Sequence, residues 1–467
     1  MNPLEAFRRD HGPNEGDIAQ TTDHLNPYER RALQSLERVT TSVERLYQRQ
    51  KETPFYPEDA TKEEILELGE RDETITSPET YVERKNGQLV AIPFHKKFQK
   101  ESKEAASAAR DASKAIDDPE SKELFEALAT AFVQGKWSEF EVAWLTQSWQ
   151  PNIDVFAGPF EPHMDKLLGK KHVFEIYVGQ IDRAETDKVR RLVERAQDVS
   201  GRESSSLPRI QVRVDQALQL GGLLKELGAN AFTMPNDPEV GREHGYKIVF
   251  FKDRIEQTFK RQILPVIQTI FEDGLVKKYE PIDASFLEAY QYWLALHEAS
   301  HPLVQHTSKK GRFLEYHAPM DEFHCDVNAL NLASELRERY LISPQLFERI
   351  LMVHVANKFV DYGRFYLLGV EEKEAYARGS VVELNYLFEH AAFEPNEYTQ
   401  FGLYRENAIV ETSKDLLGLL DIHTRNGRYS DVKTLFSRYS NRTSLRRFDE
   451  NIRRALNGSV DKPEFSI

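Results

Sequence analysis

Residues 292–301 read Tyr-Trp-Leu-Ala-Leu-His-Glu-Ala-Ser-His, and residues 320–327 read Met-Asp-Glu-Phe-His-Cys-Asp-Val. The first stretch has the form HExxH. On a helix, positions four apart share one face, so His297 and His301 present two imidazoles to one point. Glu298 projects beside that point, where a carboxylate suits a base acting on an activated water. Phe286, Tyr290, Trp293, Leu294 and Leu296 give the helix its buried support. Pro302 lacks the N–H that a continuing helix uses, so the helix is expected to end or kink there. HExxH arises by chance in roughly one in twenty to thirty chains of this composition. The second stretch therefore decides the reading.

Glu322 lies about twenty residues past His301, on a second expected helix. Two histidines from one helix and a glutamate from the next form a known catalytic zinc set, with a fourth position left for water. Asp326 follows one turn later on the same face, where it can accept the second N–H of a ligating imidazole. Asp321 is a second acid placed for that task. HExxH followed by ExxxD at this spacing resembles the arrangement of thermolysin-like metallopeptidases. The window from His297 to His324 holds five of the chain's 14 histidines. His324 falls on another helix face than Glu322 and reads as packing or as support behind a ligand, rather than as a ligand. His306 and His317 read as surface loop, with cleft lining as the other option. Cys325 reads as a small buried apolar residue rather than a nucleophile.

The rest of the chain sets the frame. Its 467 residues allow two or three domains, or two large lobes. Lys+Arg is 62 against Asp+Glu 76, a formal charge of −14. That balance argues against nucleic acid or an anionic membrane as partner. A single cysteine fits a reducing compartment. The N-terminus shows no apolar signal region, and no run approaches ~18 apolar residues. A soluble cytoplasmic protein is the expectation.

Three regions are expected: 1–80, polar and helical in pieces; 81–253, mixed, with the strands; and 254–467, mainly helical, with a loose tail from 458. In Pro27–Gln50, Leu33, Leu36, Val39, Val43 and Leu46 form one apolar stripe. Residues 101–117 are Ala-rich and strongly helix-forming, and 118–148 hold two further short helices. Gln88–Phe94, Ile153–Phe160, His172–Val178, Ile210–Val214 and Tyr246–Phe251 read as five strands of one small mixed or antiparallel sheet or barrel. Arg183–Val199 is a helix among them. No Gly-rich phosphate motif opens a helix after a strand, so a nucleotide fold has no support. The fold class is α+β, in two lobes with a cleft between them.

The chain resembles the family of zinc peptidases that includes dipeptidyl peptidase III. That family carries a HExxGH-type helix and an EECRA[ED]-type helix. Here the first is HEASH, one residue shorter, and the second is Asp-Glu-Phe-His-Cys-Asp at 321–326. Residues 152–161 (NIDVFAGPFE) and 172–180 (HVFEIYVGQ) resemble the family's strand with a Tyr-Ile-Gly-Phe-Ile-Glu core and the strand after it. Residues 229–236 (ANAFTMPN) resemble its Asn-Leu-Pro-Asn segment. The likeness covers roughly residues 150–400.

The resemblance implies a helical zinc lobe, a lobe with a small barrel, and cleavage of short peptides near their N-terminus. Carried over by residue, it makes His297, His301 and Glu322 the ligands of one Zn2+ and Glu298 the base. Asp154, Phe156, Thr233 and Asn236 fall at substrate-binding positions. Asp154 and Phe156 stand where the family has a Glu and a Tyr, and Thr233 where it has an Asn. The family's transition-state histidine aligns with Tyr376 and its nearby arginine with Ser380, with Arg378 between. Zinc with Tyr376 or Arg378 is therefore expected to hold the oxyanion. The partner is an oligopeptide. A second reading stays open: a non-catalytic relative that binds peptides or serves as a scaffold.

Overall fold

The computed structural model describes residues 25–148, 151–161, 164–201, 207–304, 312–390, 392, 395–396, 400–402 and 406–457. Helix α1 (Pro27–Glu52) begins at Asn26, whose side chain accepts from the Glu29 amide while Glu29 returns the bond. This capping box satisfies two of the donors a helix start leaves open. The apolar stripe from Leu33 to Leu46 is buried, as its spacing predicts. Helix α2 (Lys62–Arg71) leads into a hairpin of β1 (Thr80–Lys85) and β2 (Gln88–Pro93). Asn86 and Gly87 both have positive φ there, as a two-residue hairpin turn requires. Helix α3 (Gln99–Ala115) lays its alanine face on α1, and α4 (Pro119–Gln134) and α5 (Trp137–Thr146) follow.

Strands β3 (Ile153–Glu161) and β4 (Val173–Ile181), helix α6 (Arg183–Val199), then β5 (Ile210–Gly222), β6 (Ala231–Met234) and β7 (Tyr246–Phe251) build the second part. The five strands lie in the order β3-β4-β5-β7-β6 and curl into a half-barrel. All neighbours are antiparallel except β5 and β7, so the sheet is mixed. One expectation is corrected. Gln88–Phe94 is no part of this sheet, because the tight Asn86-Gly87 turn pairs it with β1. The fifth strand is β6, four residues long and stopped by Pro235, which cannot donate to a ladder.

The two sheet faces meet different cores. Val249 and Phe251 pack with α1, α3, α4 and α5, whereas Ile248, Phe250, Val212 and Val214 pack with α6 and the helical lobe. A strand buried on both faces reads as a nearly continuous apolar run, as Tyr246–Phe251 does apart from the buried Lys247.

The helical lobe follows: α7 (Ile282–Val304), α8 (His317–Glu338), α9 (Pro344–Tyr362), α10 (Glu374–Glu389), α11 (Glu406–Asn426), α12 (Tyr429–Tyr439) and α13 (Asp449–Asn457). α7 and α8 lie side by side, as do α8 and α10. Gly379 permits the second approach: a Cβ there would stand 3.0 Å from Phe323 Cβ. α7 continues two residues past Pro302. Among the described residues no helix is long and apolar enough to cross a membrane.

Candidate active site

The cleft between the half-barrel and the helical lobe is lined by β6 on one side and by α7, α8 and α10 on the other. α7 is apolar on nearly every side, so its polar residues near the C-terminal end are buried with it. His297, Glu298 and Ser300 are each at most 5% exposed. Ser300 ties the two site helices together, since Asn328 of α8 donates to its Oγ at 2.9 Å.

His297, His301 and Glu322 bring their ligand atoms within 4.8 Å of one another. His297 Nε2 is 3.3 Å from Glu322 Oε2. The other ring nitrogens are held from behind. His297 Nδ1 lies 2.9 Å from Asp326 Oδ1, and His301 Nδ1 lies 3.3 Å from Asp321 Oδ2. A carboxylate on Nδ1 keeps the proton there and turns Nε2 toward the shared centre. Asp326 has a partner of its own in the buried Lys358 ammonium. Beyond it, Lys358 is 3.9 Å from Glu383, which accepts from His354 Nε2 at 2.6 Å. Trp293 Nε1 donates to His354 Nδ1, fixing that tautomer.

The electrostatics describe a site that wants positive charge. Burial opposes protonation of His297, yet Asp326 and Glu322 push it well above its ordinary value. Likewise, against burial, Asp321 and Glu322 push His301 up to about 9. Burial also opposes ionisation of Asp326, but Lys358 and His297 hold it down at about 2. Burial raises Glu298 above the usual glutamate range, with the two histidines pulling the other way. A divalent cation would replace the imidazole protons. Two imidazole nitrogens, each backed by a carboxylate on the other ring nitrogen, and one carboxylate fit zinc with a side left open to the cleft. A second trio, His301, Asp321 and Cys325, is also compact. Burial and then Asp321 raise the Cys325 thiol well above its ordinary value, which makes it the poorer donor set.

The expected residues do not all arrive. Glu298 lines the cleft beside the trio, and the Thr233 hydroxyl donates to its Oε2 at 2.7 Å. Thr233, expected to meet substrate, thus grips the carboxylate of α7 from the sheet side. Asn236 lines the cleft and donates to Phe160 O at 2.9 Å and Glu161 Oε1 at 3.2 Å. Tyr376 lines it too, and burial with Glu322, Glu161 and Glu298 keeps its phenol protonated.

Three expectations are corrected. Asp154 and Phe156 are fully buried inside the half-barrel. Asp154 is closed off by Arg213 at 2.7 Å and by the Trp144 indole at 2.9 Å, and Phe156 packs among Trp144, Phe160 and Phe232. Arg378, two residues after Tyr376, points to another side of α10 and stacks over Tyr316 and Phe436. Ser380 is buried.

Of the remaining histidines, His317 lines the cleft. His324 turns away to Asp421 at 3.0 Å and Thr424 at 3.2 Å. His306 lies outside the described residues, as do the N-terminal 24 residues and the tail from 458. Glu161 and Lys373 are among the cleft residues that were missed. Glu161 ends β3. Setting Ala157–Glu161 against the Ile-Gly-Phe-Ile-Glu of the quoted family core would have found it. Lys373, one turn before Tyr376, carried no motif.

No known protein-family profile matches the chain. In sequence, the chain is 25% identical over 345 residues to Nudix hydrolase 3 of Arabidopsis thaliana. The match takes in 71% of this chain and 44% of that protein, so the chain spans under half the length of this curated relative. In structure, it resembles dipeptidyl-peptidase III from Corallococcus sp. strain EGB, with TM-score 0.80 and 20% identity over 95% of this chain and 92% of that one. It also resembles DPP III from Caldithrix abyssi, with TM-score 0.74 and 22% identity over 94% and 95% of the two chains. The likeness therefore reaches well beyond residues 150–400, into the N-terminal helices. At these identities it is a likeness of fold. The chain has the two-lobed dipeptidyl peptidase III-like fold.

Proposed function

We propose that the chain is a zinc-dependent metallopeptidase acting on short peptides. One observation carries this: His297, His301 and Glu322 converge while Glu298 stands beside them with one oxygen held by Thr233. A scaffold protein has no use for a positioned buried base. The names of the similar proteins, two dipeptidyl peptidases and one hydrolase, agree with hydrolysis. A Nudix-type reaction on a phosphoanhydride gains less support, because among the described residues the cleft offers one lysine or arginine, Lys373, to a polyphosphate.

His297, His301 and Glu322 would hold the ion. Bound there, zinc supplies Lewis acidity, polarising a peptide carbonyl and bringing the pKa of a water toward ~7. Glu298 takes the water's proton at Oε1, the oxygen Thr233 leaves open, and later returns it to the leaving nitrogen. Its upward shift brings the carboxylate nearer working pH, which suits a group that must both take and give a proton. Tyr376 offers a hydroxyl donor to the carbonyl oxygen. Glu161, fixed by Asn236, gives a negative seat for a substrate's free amine.

The test is a mixed-peptide digest with the protein loaded with zinc, run with and without a chelator. Cleavage that stops on chelation and returns with zinc supports the proposal. One bound zinc with no chelator-sensitive cleavage supports the peptide-binding reading instead.

A further inference from the structure

Glu161, Glu298, Asp321, Glu322, Asp326 and Asp361 line the cleft. Among the described residues Lys373 is the one lysine or arginine that lines it. Peptide hydrolysis adds another negative charge, on the oxygen of the attacked carbonyl. In a low-dielectric cleft so rich in acids, a preorganised cation beside a hydroxyl favours that charge further, in addition to the Lewis acidity a bound zinc supplies. Lys358 cannot supply it, being buried against Asp326. Arg378, the arginine the sequence suggested, is stacked elsewhere.

Lys373 meets the requirement. Its Nζ lies 4.1 Å from the centroid of the Tyr376 ring, so ammonium and phenol share one wall of the cleft. Among the described residues no carboxylate forms an ion pair with it. Burial and Arg364 bring its pKa down to about 8, against the pull of Asp361, Glu322 and Asp326. A half-buried lysine with no carboxylate at ion-pair distance among the described residues, facing a cleft of acids, is placed to meet an anion that forms only during the reaction.

The geometry points to Lys373 as a catalytic cation that, with the Tyr376 hydroxyl, holds the oxyanion formed on the scissile carbonyl. This rests on the peptidase reading and deepens it. In the step, a water O–H bond breaks and its proton goes to Glu298. The oxygen bonds to the carbonyl carbon, and the carbonyl π pair moves onto the carbonyl oxygen, facing Lys373 and Tyr376. On collapse the C=O re-forms, the C–N bond breaks, and Glu298 protonates the leaving nitrogen.

The experiment compares zinc-loaded full-length wild type, Lys373→Met and Lys373→Arg. Each is assayed on a pentapeptide with a free carboxyl end and on its C-terminal amide. Binding of a phosphinic peptide, a tetrahedral anion, is followed by calorimetry. Zinc content and Tm check that the variants are folded. The expected result is a kcat loss of about 10²–10³-fold in Lys373→Met. It should be equal for both peptides and leave KM within about threefold, with a parallel loss of phosphinate affinity and partial recovery in Lys373→Arg. Unchanged kcat beside an active wild type overturns the role of Lys373 alone. A loss confined to the free-carboxyl peptide also overturns it, making Lys373 an anchor for the substrate's end. If wild type neither cleaves the peptides nor binds the phosphinate, the peptidase reading falls and takes this role with it.

Discussion

Two clusters of buried charge lie in this chain, one in the half-barrel and one between α7 and α8, and they balance in opposite ways. In the half-barrel, Asp154 and Arg213 meet at 2.7 Å with both side chains fully buried. Burial and then Asp154 push Asp215 well above the carboxylate range. Burial and then Arg213 push Lys247 well below the lysine range. Two acids, Asp154 and Asp215, stand against two bases, Arg213 and Lys247, so the cluster balances within itself and is closed. Between the helices, Asp326 and Lys358 cancel, and Asp321 and Glu322 remain with two histidines drawn toward protonation. That cluster is open to a cation and to the cleft. A closed charge cluster holds a fold together, whereas an open one has work left for a ligand.

The contrast can be broken at four points. Glu298→Gln removes the base from the open cluster and should lower kcat by about 10²–10⁴-fold with zinc still bound, as read by turnover and metal analysis. Full activity would remove Glu298 from the mechanism. Arg213→Met opens the closed cluster by leaving Asp154 buried without its partner. Urea unfolding should show a loss of about 3–5 kcal/mol, with zinc stoichiometry unchanged in the folded fraction. A loss under ~1 kcal/mol would contradict the closed description. Asp326→Asn weakens the hold on the His297 ring and should lower zinc affinity about 10–100-fold in a chelator competition. Unaltered affinity would make Asp326 a bystander.

The smallest effect concerns pH. In the metal-free protein His301 is raised to about 9 from 6.5. Its contribution to stability is fully present below pH 6.5 and is lost as pH rises through about 9. Zinc takes the place of the protons. The rise in Tm on adding zinc should therefore grow between pH 6.5 and pH 9. A shift that shrinks over that range would mean the ion binds elsewhere.

The helices were legible in the sequence and the strands only in part. Leu33 to Leu46 and the HEASH helix announce themselves by period, because burial of a helix marks every third or fourth residue. Strand partners leave no such mark. Gln88–Pro93 has the composition of a sheet strand, and only the Asn86-Gly87 turn reveals that it pairs locally. β6 has four residues and reads as a loop. The convergence of His297, His301 and Glu322 was legible because side-chain spacing on a helix is rigid. The substrate side was not. An acid at Asp154 and one at Glu161 look alike in a string of letters, yet only Glu161 reaches the cleft. Lys373 gains meaning only once six carboxylates are seen around it.

The hydrogen bond from Thr233 to Glu298 has one further consequence. Thr233 belongs to the sheet and Glu298 to the helical lobe, so the bond spans the gap between the two halves of the molecule. Parting the halves by a single water's width would release Glu298 Oε2 and leave the base free to rotate. On the peptidase reading proposed above, catalysis is thereby tied to a mechanical condition: Glu298 is held in place only while the two halves are closed.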